Sequence, residues 1–411
     1  MSDQRDGGIA WTDSTWNPVR GCTRVSEGCR NCYAERMAAR FSGPGQPYDG
    51  LARMTEAGPR WTGKVRLVLE HLYDPLRWKR PRRIFVNSMS DLFHEALTDG
   101  EILRVFAVMA RARQHVFQVL TKRPERMRAW TRRWMDLKGE ADEPRLARGP
   151  AATRRAHPSG RGQMFAEMLE SMGEPPAGAA YPTFDWMEGM RWWLQDPAAI
   201  WRNVWLGVSV EDQATADERI PLLMDTPAAI RFVSYEPALG PVDFTGLTAP
   251  DAVSGAKRGH ATFDVVGGSA VYPTGDPECS EQGYPIPRLD WIIAGGESGP
   301  GARPMHPDWV ASTVRQCREA GVACFVKQLG AWRAMLWGGT PTAKDGNWGT
   351  LDAGGKFWKG TTPWNGKQLD DSDTREVVIV SVGGHQSDPA EWPEDLRVRE
   401  FPTGHDQEAH E

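Results

Sequence analysis

The stretch that decides the fold is LDWIIAGGESGPGARP, residues 289–304. A short apolar run, Trp291 to Ala294, is followed at once by Gly295, Gly296, Glu297 and Ser298. A run of that length, bounded by turn residues, predicts a strand buried on both faces. The same arrangement recurs along the chain. IAWTDSTW (9–16) leads to Asn17 and Pro18, and RIFVNSMSDLF (83–93) to Asn87, Ser88, Ser90 and Asp91. VFQVLTKRPERM (116–127) ends in Thr121, Lys122 and Arg123, and VWLGVSVED (204–212) in Ser209, Glu211 and Asp212. IRFVSYEPALGPVD (230–243) ends in Ser234 and Glu236, and VACFVKQLG (322–330) in Lys327 and Gln328. Helical patterns separate many of these runs, which predicts parallel βα units. Polar groups just beyond each strand predict one shared site at the carboxyl ends. A doubly wound sheet would put its ligand at a single switch point instead. The expected class is therefore α/β, a complete or partial parallel βα (TIM-like) barrel.

The densest chemistry lies in GCTRVSEGCRNCYAERMAARF, where Cys22, Cys29 and Cys32 form a C-x6-C-x2-C cluster. Three thiolates so close suit an iron–sulfur cluster with three protein-ligated irons and one open iron. A structural zinc needs a fourth ligand, commonly from a second C-x2-C or Cys/His pair, and His71 is the nearest histidine. Plain or redox thiols are the third reading. Six cysteines in 411 residues do not make a disulfide framework. Cys279, Cys317 and Cys324 are scattered and read as packing residues.

Residues 136–182, rich in Ala, Gly, Pro and Arg, read as an insertion, and 245–288 as a second long loop or small β excursion. The core is expected to span 1–332. A Gly/Trp-rich β appendage follows over 333–385, then an acidic, disordered tail over 386–411. The net charge of -5 conceals a division: residues 370–411 hold twelve acids and three Arg. Residues 60–133 hold seventeen Lys/Arg against seven Asp/Glu, which permits a polyanionic partner. The bland alternative is a solvated basic face with a solubilising tail. Nineteen tryptophans allow base stacking or packing. The N-terminus has no apolar h-region and no run of eighteen apolar residues occurs, so the expected location is cytoplasmic, with no membrane association.

Taken together, WTDSTWNPVRGC…GCRNCYA, FVNSMSDLF, LTKRPERM, WLGVSVED, FVSYEP, WIIAGGESGPGARP and FVKQLG resemble the three-cysteine-motif family of phages and bacterial mobile elements. That family is described as radical-SAM-like and of unassigned substrate. The resemblance implies a barrel of the radical S-adenosylmethionine (SAM) type in a bacterial or phage-infected cell. It implies a 4Fe–4S cluster on Cys22, Cys29 and Cys32, with SAM as cofactor. The first cysteine gap is six residues where three is typical, and Asn31 and Tyr33 flank Cys32. Gly295, Gly296 and Glu297 are analogous to a Gly-Gly-Glu motif that holds the cofactor's amino group. Ser298, Ser234, Glu236, Asn87, Ser88, Lys122 and Lys327 complete the expected binding set. The substrate is expected to be a nucleobase or nucleic acid, met through the basic 60–133 region, with a companion protein encoded nearby as a further partner. The alternative from another class is a non-catalytic nucleic-acid-binding or regulatory phage protein with a structural zinc or redox cysteine cluster.

Overall fold

The computed structural model describes residues 9–135, 201–249, 261–271, 284–299, 301–330, 332–335, 348–352, 357–359, 377–382 and 394–402. Seven strands form the central sheet: β1 (Ser14–Trp16), β2 (Arg83–Val86), β3 (Val116–Thr121), β4 (Val204–Val210), β5 (Ile230–Tyr235), β6 (Trp291–Gly295) and β7 (Ala323–Gln328). Their spatial order is their chain order, and every neighbouring pair is parallel. A doubly wound sheet reverses order at a switch point, and none exists here. The sheet curls into a partial barrel whose edges, β1 and β7, do not pair with each other.

Strand parity sorts the core into two. Ile84 and Val86, Phe117 and Val119, Leu206 and Val208, Val233 and Tyr235, and Ile292 and Ala294 join one large buried cluster with the helices. These helices include α2 (Asp99–Arg111), α3 (Pro124–Met135), α4 (Gln213–Met224) and α5 (Pro307–Ala320), whereas α1 (Tyr33–Arg40) adds no residue to the cluster. The opposite parity supplies a second cluster: Phe85, Trp205, Phe232, Trp291, Ile293 and Phe325, closed by Trp11. Because side chains alternate along a strand, this second set fills the concave side. Several tryptophans therefore pack: Trp11, Trp16, Trp130, Trp201, Trp205, Trp291 and Trp309 are buried.

Local chemistry fixes the helix ends. Thr98 and Glu101 form a reciprocal capping box at α2, and Asp212 and Thr215 another at α4. At α5, His306 caps ahead of Pro307, and Gly321 ends the helix in the left-handed region at φ 67°. Cys317 and Cys324 are buried in the core, as a packing role requires; Cys279 lies outside the described residues.

The expected 245–288 excursion contains a four-stranded antiparallel sheet among its described residues: Leu247–Ala249, Ala261–Asp264, Ser269–Val271 and Tyr284–Pro285. Trp332–Met335, Trp348–Asp352, Phe357–Lys359 and Val377–Val382 form another four-stranded sheet. The 136–182 insertion lies outside the described residues. Part of the acidic tail departs from expectation, because residues 397–400 run antiparallel along the edge of β7. Val326 N donates to Val398 O at 2.9 Å and Glu400 N to Cys324 O at 2.8 Å. Phe401 then packs on Trp291 and Phe325. An edge strand left bare would expose unpaired amides, and this segment covers them. Among the described residues, no helix is long and apolar enough to cross a membrane.

Candidate functional site

The carboxyl ends of the strands surround a cavity of about 290 Å³, roofed by the cysteine loop and the start of α1. Cys22, Cys29 and Cys32 line it. So do Asn87 and Ser88 after β2, Lys122 after β3, and Ser234 and Glu236 at the end of β5. Gly296, Glu297 and Ser298 follow β6, and Lys327 lies on β7. Gly295 stands directly behind this wall. A Cβ there would come within 2.8 Å of Glu236 Oε1, so glycine is what lets that carboxylate sit against the strand. Trp11, Phe85 and Leu120 give the cavity an apolar floor.

Three strand ends grip the cysteine loop. Thr23 accepts from Arg123 Nη2 at 2.6 Å and contacts His94 Nε2 at 3.0 Å. Ser26 Oγ donates to Glu211 Oε1 at 3.0 Å, and Asn31 Nδ2 donates to Glu297 Oε2 at 2.9 Å. Two glycines allow the close approach: a Cβ on Gly28 would lie 2.3 Å from Glu211 Oε1, and Gly21 (φ 95°) would meet Lys64 O at 2.1 Å. The three thiols form no disulfide. Burial pushes the Cys22 thiol up to about 12, with the Asp91 carboxylate adding to the effect and Arg123 opposing it. Burial raises the Cys32 thiol as well. Among the described residues, no three His, Cys, Asp or Glu side chains converge as ligands of one ion.

The strand-end charges are paired across the ring. Lys122 Nζ forms an ion pair with Glu211 and donates to Ser209 Oγ at 2.8 Å. Glu211, almost wholly buried, also takes Arg219 at 3.1 Å. Lys327 Nζ lies 3.1 Å from Glu236 Oε1, with Ser234 Oγ 3.5 Å from the other oxygen. Arg123 turns away from its neighbour Lys122 into a buried pair with Asp91 at 3.0 Å. Asp91 also accepts from Phe93 N, Thr121 Oγ1 and Lys122 N.

Glu297 both lines the cavity and braces it. Its oxygens accept from Asn31, from Arg303 N at 2.8 Å, and from the Arg303 guanidinium at 2.8 and 3.0 Å. Burial pushes this carboxyl up, but the Arg303 and Asn31 hydrogen bonds outweigh it and hold the group below the usual range. Asn87 takes the left-handed region at φ 60°, which asparagine tolerates better than most residues. Its Oδ1 accepts from Val19 N at 3.2 Å, while its buried Nδ2, on a cavity-lining residue, has no partner among the described residues. Ser88 Oγ donates to Asn17 at 3.1 Å, and Ser88 O accepts from Tyr33 OH at 2.5 Å. Asp13 holds Arg83, and Asn17 holds the turn at Ser88 and Met89.

Sequence reasoning did not select Glu211, Thr23, His94 or Arg303 for the site. Glu211 carried the same signal as the residues that were selected, a polar group just past an apolar run. The other three depend on contacts between distant segments. The basic region also divides: among the described residues, Arg77, Arg83, Lys122, Arg123, Arg126, Arg128, Arg132 and Arg133 form ion pairs within the chain. The run WKRPRR (78–83) ends where β2 begins, at the amino end of the barrel, opposite the cavity.

Residues 6–377 match the family model described as Protein of unknown function (DUF5131), so the chain belongs to that family. No curated protein and no solved structure matches it.

Proposed function

We propose that this member of the DUF5131 family is an enzyme of the radical SAM type, with a nucleobase or nucleic acid as substrate. The observation that carries the reading is the meeting of Cys22, Cys29 and Cys32 with the strand-end polar groups in one cavity. Three soft sulfur donors on one wall suit iron–sulfur ligation. Thiolates that hold three different irons need not converge on a point, as the ligands of one zinc ion must. The cluster would be held by those three cysteines. When bound, such a cluster with an open iron supplies the electron that splits SAM into methionine and a 5′-deoxyadenosyl radical.

The chain's own residues then have separable tasks. Lys122 and Lys327, each countered by a glutamate, offer cations to a carboxylate or phosphate. Glu236 and the Asn87 amide offer an acceptor and an unengaged donor to an amine or a base edge. Glu211, Arg123 and Glu297 hold the cysteine loop over the cavity. Trp11, Phe85 and Leu120 exclude water from its floor.

The test is anaerobic reconstitution with iron and sulfide, followed by SAM and dithionite. Absorbance near ~400 nm and 5′-deoxyadenosine are expected. Cys22→Ala, Cys29→Ala or Cys32→Ala should each remove most of the iron and all of the product, while Cys317→Ala and Cys324→Ala retain both. A colourless protein holding one zinc, or full iron in Cys29→Ala, would sink the reading.

A further inference from the structure

The segment between β1 and β2 does more than carry the cysteines. Residues 20–66 hold nine Lys/Arg against four Asp/Glu. Among the described residues, none of Arg20, Arg30, Arg40, Arg53, Lys64 and Arg66 forms an ion pair within the chain, in contrast to the paired cations of the 60–133 region. Aromatic rings are interleaved with these cations. Arg20 lies over the Tyr48 ring at 5.5 Å and Arg40 over Phe41 at 5.6 Å. Arg20 and Arg66 both donate to Pro47 O, at 3.3 and 2.9 Å, which gathers them beside Tyr48.

These rings form a path. Tyr33, Met37 and Phe41 recur every four residues along α1 and its cap, and stay 48%, 43% and 37% exposed. That spacing puts them on one helix face. Tyr48 N donates to Phe41 O at 3.0 Å, and the Tyr48 ring lies 6.5 Å from Trp61. Trp61 and Tyr33 both line the cavity wall. Rings thus lead from the outer surface, where Tyr33 and Phe41 are exposed, through the half-buried Tyr48 and Trp61 to the cavity, flanked by cations without internal counter-ions among the described residues.

We propose that this lip binds single-stranded nucleic acid, with phosphates on Arg20, Arg40 and Arg66 and bases stacked on Phe41 and Tyr48, so that the next nucleotide is delivered past Trp61 into the cavity. Stacking is open to any base because each has a π face, and the arginines track the backbone. A duplex keeps its bases stacked on one another and does not offer those faces. The proposal deepens the reading of the cavity as a reaction centre and rests on it only for where the strand leads.

Binding is measured by fluorescence anisotropy on the full chain, without reductant or SAM, using a short fluorescein-labelled deoxythymidine oligonucleotide. Affinity should fall about tenfold or more between ~50 and ~200 mM salt. Phe41→Ala and Tyr48→Ala should each weaken binding by about five- to a hundredfold. The exposed triple variant Arg40→Glu/Arg53→Glu/Lys64→Glu should weaken it at least tenfold, and Lys79→Glu/Arg80→Glu, at the amino end, should leave it unchanged. The reverse pattern overturns the proposal. So does tighter binding of the matching duplex, or competition by poly-glutamate as effective as by unlabelled oligonucleotide, which would mark an acidic protein partner. Thermal unfolding of each variant separates lost contacts from lost fold. Cys22→Ala/Cys29→Ala/Cys32→Ala should bind the oligonucleotide like the parent, so a failed iron chemistry and a failed lip give different results.

Discussion

The two ends of the barrel's concave face are built from the same strands and the same parity of residues, yet share almost no chemistry. Toward the amino end, Trp205, Phe232, Trp291 and Phe325 fill the interior with Trp11, ring centroids about 6 Å apart at offset and edge-on angles. Two to four residues further along each strand, the inward positions become Ser209, Ser234 and Glu236, Gly295, and Lys327. The difference teaches how a half-closed barrel can stay rigid around a cavity. The aromatic plug supplies apolar burial, roughly 1.5–3 kcal/mol for each such side chain. The ring of ion pairs can then be spent on holding the cysteine loop and facing a ligand, a division that parallel barrels use widely.

The comparison breaks first if the plug and the ring are not separable. Trp291→Ala, at a fully buried position touching Trp11, Trp205, Phe232, Phe325 and Phe401, should destabilise the protein by about 3–5 kcal/mol. Urea unfolding checks the magnitude. Iron bound per folded molecule after reconstitution should stay near the parent's. Asp91→Ala should cost a similar amount, because Arg123 loses its buried carboxylate and keeps only the exposed Glu95, but it should also release Thr23 and lower the iron content. If Trp291→Ala strips the iron while stability holds, the division of labour is wrong.

A milder change probes the boundary between the two layers. Gly207 lies between Trp205 and Ser209 on the concave side of β4, and a Cβ there would come within 2.6 Å of the Phe232 ring. Gly207→Ala should therefore cost about 1–3 kcal/mol through overpacking. Combined with Phe232→Leu, which vacates that volume, it should cost less than the two single changes added together. Additive losses would show that Phe232 does not dictate the glycine.

Much of this plan is legible in the sequence, and the reason is periodicity. The seven apolar runs quoted from the chain each contain a strand of the sheet, and nearly every polar residue chosen just past a run reaches the cavity wall, because a parallel strand ends where its loop begins. What stays hidden depends on which distant residues meet. Lys122 and Arg123 are adjacent cations, yet one reaches into the ring and the other turns to Asp91; nothing local distinguishes them. Within the basic 60–133 region, nothing in the run at 78–83 signals that Arg82 lies over Trp78 and Arg83 over Phe401. The tail read as acidic and disordered, while Val398 and Phe401, its apolar exceptions, are what dock on β7 and the plug.

The smallest expected effect is a pH dependence that the two ends share. His94 stands by the ring and His115 just before β3, at the amino end. Burial lowers the pKa of both: Arg123 adds to the effect at His94, and the Pro75 carbonyl opposes it at His115. At His94, Ala96 N also donates to Nδ1 at 3.1 Å, so a second ring proton would face a donor instead of an acceptor. For a group whose folded pKa lies below its unfolded value, the unfolded chain takes up the proton first as pH falls. Stability from both histidines is thus fully present above about pH 6.5, the unfolded value, and is lost as pH drops through the folded pKa. Glu297 adds a second, more acidic window with the same sign, present above the unfolded carboxyl value and lost below it. Thermal midpoints recorded from neutral pH down to mildly acid pH should fall steadily. His94→Gln should flatten the part of that fall that accompanies loosening of the cysteine loop, and His115→Gln the remainder. A midpoint that rises on acidification would show that one of these rings is charged in the folded protein.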